Sequence, residues 1–84
     1  MSETTAAHAT AVLEHVVKSV VGDPEAVKVN ADADGDKVQL TVEVGPGDMG
    51  RVIGRRGRIA NAIRTVVRAA GVRDGVEVDV EFLD

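Results

Sequence analysis

The sequence predicts an α+β domain in the order α-β-β-α-α-β, a three-stranded sheet with its helices packed on one face. Three observations carry this. Apolar residues recur at spacings of three and four in two long stretches, near 9–21 and 58–70. They alternate with polar residues in three shorter ones, near 27–31, 38–44 and 76–82. The length, 84 residues, suffices for one small core and no second one.

The first helix follows from Leu13, Val16, Val17, Val20 and Val21, which share a face opposite Glu14, His15, Lys18 and Ser19; Gly22 and Pro24 stop it. Ser2, Thr4 and Thr5 all offer themselves as its N-cap. Residues 1–7 are expected to be a disordered lead-in, with the domain occupying 8–84. After Pro24 the period becomes two. Val27, Val29 and Ala31 alternate with Lys28, Asn30 and Asp32, Asp34 and Gly35 mark a tight turn, and Val38, Leu40, Val42 and Val44 run back. The spacing predicts a hairpin with one buried face, ended by Gly45, Pro46 and Gly47.

Beyond the hairpin, Met49, Val52 and Ile53 make a short helical turn ahead of Gly54. A longer helix is predicted from about Arg58 to Ala70, with Ile59, Ala62, Ile63, Val66, Val67 and Ala70 as its apolar stripe and Gly71 as its C-cap glycine. The two are separated by the loop Gly54, Arg55, Arg56, Gly57. Val76, Val78, Val80 and Phe82 then alternate with Glu77, Asp79 and Glu81 as a last strand.

Composition excludes several functions. With no Cys there is no disulfide framework, thiolate metal site or thiol nucleophile, which suits a reducing compartment. No apolar run approaches the roughly 20 residues of a membrane span, and the acidic start is unlike a signal peptide, so a cytoplasmic protein is expected. No Ser-His-Asp grouping and no carboxylate pair in apolar surroundings suggests catalysis, so no enzyme activity is expected. His8 and His15 lack a third ligand. Asp32, Asp34 and Asp36 suggest a calcium loop only faintly, because Gly35 is out of place and Glu43 falls inside a strand. No metal or cofactor is expected. Gly45, Gly47 and Gly50 spell GxGxxG, but the helix that should follow is broken at Gly54 to Gly57, and too few residues remain for a doubly wound sheet.

The loop is more informative. Two glycines three apart let the chain turn sharply and let a polymer backbone approach without Cβ atoms in the way. The first N–H groups of the following helix lack internal partners and, with the helix dipole, favour phosphate. Arg55 and Arg56 add charge that can meet phosphate bidentately. Arg51 and Arg58 stand at the rim, Ile53 and Ile59 flank the loop as either core residues or the floor of a groove, and Arg64 and Arg68, one turn apart, would extend a phosphate track. A formal charge of −4 argues against nucleic acid, but it sums two unlike regions. Residues 49–73 hold seven Arg and no acid; the remainder holds three Lys and all fourteen acids, −11 in total. The acids should keep a polyanion off the open side of the sheet.

The stretch VIGRRGRIANAIR resembles the signature of the KH domain, and the element order is that of its type II, bacterial arrangement. The likeness runs from about Leu13 to Phe82. The longer stretch PGDMGRVIGRRGRIANAIRTVVRAA narrows it to the small bacterial single-KH RNA-binding proteins called KhpA. The resemblance implies that Gly54 to Gly57 grip about four single-stranded RNA nucleotides. It also implies an RNA-chaperone or post-transcriptional role, a homodimer or a complex with a second, larger KH protein of the KhpB type, and a link to cell elongation, cell wall biogenesis and envelope homeostasis. Relatives commonly carry Lys at the two loop positions; both are Arg here. With Phe82 as the sole aromatic, base stacking contributes little to recognition. The competing reading is a protein-interaction (dimerisation) module whose nucleic-acid loop is vestigial.

Overall fold

The computed structural model describes residues 6–83, excepting the side chain of Arg55. Helix α1 (Ala7–Val20) leads through a 3-10 turn (Pro24–Ala26) into strands β1 (Lys28–Asp34) and β2 (Lys37–Glu43). A short helix α2 (Met49–Ile53), a second 3-10 turn (Arg55–Gly57) and the long helix α3 (Arg58–Arg73) follow, and strand β3 (Glu77–Leu83) ends the fold. The three-stranded sheet has the order β1-β2-β3. β1 and β2 are antiparallel; β3 lies parallel to β2, which the crossover through α2 and α3 permits.

Alternation decides which way each strand faces. Val38, Leu40 and Val42 of β2 stand in register with Val78, Val80 and Phe82 of β3, and Val29 pairs with Val42. This aliphatic face meets α1 and α3, where Leu13, Val17, Ile63 and Val67 are buried against it. Full burial of one such side chain contributes roughly 1.5–3 kcal/mol. The opposite face carries Asp32, Gln39 and Asp79 in one row and Asn30, Thr41 and Glu81 in the next, and is mostly exposed.

Four details depart from the pattern expected. β1 is an edge strand whose inner face is scarcely covered: Val29 is half-buried but Ala31 is exposed, because the hairpin runs out from under the helices. Its turn is Gly35 and Asp36, with Gly35 at φ 68, where a two-residue hairpin takes glycine. On α3 the buried residues are Ala60, Ile63, Val67, Ala70 and Gly71, so the stripe is narrower than the apolar pattern; Ile59, Ala62 and Val66 face outward. The helix also runs on to Arg73. Gly71 is no cap but lies inside α3, where a Cβ would come within 2.5 Å of Val78 Cγ2, and this is how β3 gets close to the helix. The true stop is Gly75 at φ 75, whose N–H donates to Val72 O while the Val76 N–H donates to Gly71 O.

The fourth concerns the start of α1. Its N-cap residue, Ala6, makes no side-chain cap. Asp74 caps the helix from the other end of the domain: its carboxylate accepts the N–H groups of Ala9 at 2.9 Å and His8 at 3.3 Å. The proposed caps Ser2, Thr4 and Thr5, like residues 1–5 of the expected disordered lead-in, lie outside the described residues, whereas Ala6 is buried and Ala7 already opens the helix.

Candidate nucleic-acid interface

The loop between α2 and α3 is built from backbone conformations that side chains rarely adopt. Gly54 has φ 66 and ψ −161, a region essentially reserved for glycine. A Cβ there would sit 2.7 Å from Cδ1 and Cγ1 of Ile59. Arg56 follows at φ 57, ψ 30 and Gly57 at φ 73, ψ 14, two successive left-handed residues. Gly57 can take this without strain, but Arg56 is the one non-glycine residue at positive φ among those described, at a cost of about 1–2 kcal/mol. The sharp reversal turns α3 so that its first turn opens toward the loop. Gly57 offers no side-chain cap, and the first turn of α3 contains no acid. The first turn of a helix carries N–H groups with no partner inside the helix, which solvent or a ligand can meet.

Ile53 and Ile59 flank the loop and are each 37% exposed, outside the core. Both therefore stand at the surface. Ile59, lying over Gly54, joins Val20, Gly50, Arg51, Gly54 and Arg58 in lining an open, mostly apolar groove between the end of α1 and the loop. Arg58, which lines it, and Arg56 in the adjoining loop are both exposed. The groove is thus floored by aliphatic carbon and rimmed by guanidinium groups.

The arginines further along α3 are placed differently. Arg64 donates through Nε to Val80 O at 3.3 Å and through Nη1 to Asn61 Oδ1 at 3.0 Å, and its guanidinium lies 5.2 Å from the Phe82 ring centre. Arg68 reaches Asp79 on β3 at 3.4 Å. The structure brings Arg51, Arg56 and Arg58 together around the loop and turns Arg64 and Arg68 toward β3.

One residue at this site had no signal in the sequence. Asp48, 6% exposed, is the buried charged residue among those described. Its carboxylate accepts the N–H groups of Gly22 and Asp23 at 3.1 Å each and forms an ion pair with Arg51, Nε to Oδ1 at 3.4 Å. It thereby ties the end of α1 to the start of α2. No periodicity marks such a bond, since its partners lie 25 and 26 residues away.

With this geometry in view, comparison with known proteins is decisive. The family model described as KhpA/KhpB, KH domain matches residues 10–82. The chain belongs to this family. Among its relatives, RNA-binding protein KhpA of Clostridium perfringens is 46% identical over 71 residues, which cover 84% of this chain and 95% of that one. KhpA of Streptomyces coelicolor is 49% identical over 72 residues, covering 86% and 90%, and that of Bacillus subtilis 38% identical over 77 residues, covering 92% and 95%. Among solved structures, a crystal structure of Aquifex aeolicus Era bound to GDP and aluminium fluoride superposes with a TM-score of 0.63 at 16% identity, over 88% of this chain and 29% of that one. That likeness speaks for the fold alone. No helix among the described residues is long and apolar enough to cross a membrane.

Proposed function

We propose that this KhpA/KhpB-family domain binds single-stranded RNA, with Gly54, Arg55, Arg56 and Gly57 gripping the sugar-phosphate backbone of about four nucleotides. The observation that carries this reading is the uncapped first turn of α3 behind a left-handed loop, beside an aliphatic groove, within a 25-residue segment that has seven arginines and no acid. Phosphates meet the N–H groups and Arg51, Arg55, Arg56 and Arg58; bases lie against Ile53 and Ile59. Arg64 and Arg68, engaged at β3, contribute at most long-range charge. Binding four nucleotides through backbone and apolar contacts fits a chaperone or post-transcriptional regulator better than a sequence-specific reader, and nothing in this mechanism calls for catalysis. The family resemblance extends the reading to a cytoplasmic protein acting in cell elongation and envelope homeostasis.

A single four-nucleotide site is weak, and a second site held nearby raises affinity through effective concentration. The outward flank of α3, with Ala62 and Ala69 exposed and Val66 49% exposed, supports pairing with another copy or with a KhpB-type KH protein. Sedimentation of the protein alone and mixed with that partner separates the two.

The test of RNA binding is fluorescence polarisation with short single-stranded RNA. Three to five phosphate contacts predict that log affinity falls with log salt at a slope of about −2 to −3.5. Replacing Arg55 and Arg56 together by Asp should weaken binding more than tenfold while the thermal midpoint stays put. Undiminished affinity in that variant would leave the interaction-module reading in possession.

A further inference from the structure

Arg51 is not free to wander over the groove it lines. Its Nε is held at 3.4 Å by Asp48 Oδ1, and its Cζ lies 3.8 Å from the place a Cβ on Gly22 would occupy. The guanidinium therefore passes over the chain at the end of α1. With its Nε facing that carboxylate, the guanidinium still presents the donors on its two Nη atoms. The same carboxylate fixes Gly22 and Asp23, just beyond the groove-lining Val20, while the backbone C=O of Asp48 accepts the N–H groups of Arg51 at 3.0 Å and Val52 at 3.2 Å. Its N–H donates to Gly45 O at 3.0 Å. One buried residue thus joins both walls of the groove and aims one of its cations.

We propose that Asp48 is a positioning residue for RNA: it sets the separation of the groove walls and orients Arg51 toward a phosphate. The inference rests on the RNA-binding reading above. Its sign runs against simple electrostatics, which is what makes it testable. Removing a carboxylate beside a phosphate track should by charge alone tighten binding, whereas loss of positioning weakens it.

The experiment measures affinity of the full chain for a short single-stranded RNA across a salt series, for the protein as it stands, the Arg55→Asp with Arg56→Asp variant, Asp48→Asn, Arg51→Ala and the combination of the last two. An asparagine matches the carboxylate in shape but offers one acceptor where two N–H groups wait. Asp48→Asn is expected to bind about five- to tenfold more weakly, the loss of one ordinary hydrogen bond, with a salt slope about 0.7 shallower. Arg51→Ala should add little on top of it, showing that the two act as a unit. Unchanged or tighter binding by Asp48→Asn, or two losses that simply add, overturns the proposal. If Asp48→Asn does not fold, Arg51→Lys decides. It keeps the charge but not the planar fork, and should bind at least threefold more weakly; affinity equal to that of the parent overturns the proposal. Failure of the parent to bind, or full binding by the loop variant, strikes the RNA reading instead.

Discussion

The two long helices of this domain begin in opposite ways. α1 starts against a carboxylate: Asp74 accepts the N–H groups of His8 and Ala9, so two donors of its first turn are partnered although the N-cap Ala6 makes no side-chain cap. α3 starts at Gly57, in the left-handed region, with no cap, no acid in its first turn and Arg58 as its first residue. Both termini carry the same partial positive charge. One is capped by a carboxylate from within the fold; the other stands without a side-chain cap from Gly57, behind a backbone that holds Arg56 at positive φ. The contrast teaches that the domain can close a helix end when stability is the purpose, so the open end is a different kind of investment.

The sharpest way to break the contrast is at Gly54. In Gly54→Ala the Cβ meets Ile59 at 2.7 Å from a glycine-only conformation, and stability should fall by about 3 kcal/mol. Urea unfolding measures it, and RNA affinity should be lost with it; parent-like stability would mean the loop does not need this conformation. Asp74→Ala attacks the closed end. Uncapping α1 should cost about 1–2 kcal/mol yet leave RNA affinity per folded molecule unchanged, and a matching loss of affinity would show that the ends are not separate in purpose. The smallest effect has two signs. Arg58→Glu supplies the acid that the first turn of α3 lacks, so its unfolding free energy should rise by about 0.5 kcal/mol while RNA binding weakens more than tenfold. A variant that loses stability as well would contradict the account of the open end.

Much of this architecture is legible in the chain. The switch of apolar period from about 3.6 to two locates the two long helices and the three strands, and Gly54 and Gly57 with two arginines between them mark the loop. Periodicity is blind in two respects, however. It gives the apolar residues of α3 but not which flank the sheet covers, so Ala62 and Val66 read as core although they are exposed. It also makes Gly71 look like a terminus, when the glycine is there for the approach of Val78 and the stop is Gly75 four residues on. The polar joints left no trace at all. Asp48 and Asp74 look like ordinary loop acids in a chain with fourteen of them, and their roles depend on backbone N–H groups brought near only by the completed fold. Arg64 and Arg68 sit one turn apart as a phosphate track would require, but β3 supplies Val80 O and Asp79 nearer at hand.

The joint at Asp74 also bears on how the protein comes into being. On a ribosome, α1 emerges first, but the carboxylate that completes it belongs to a residue 65 positions later than Ala9. At the usual pace of translation, about 5–20 residues per second, that is an interval of roughly 3–13 s. Through it the nascent helix has an unfinished first turn and exposes Leu13 and Val17 to whatever is near. The cap on α1, worth about 1 kcal/mol, is thus added only once the far end of α3 is in place.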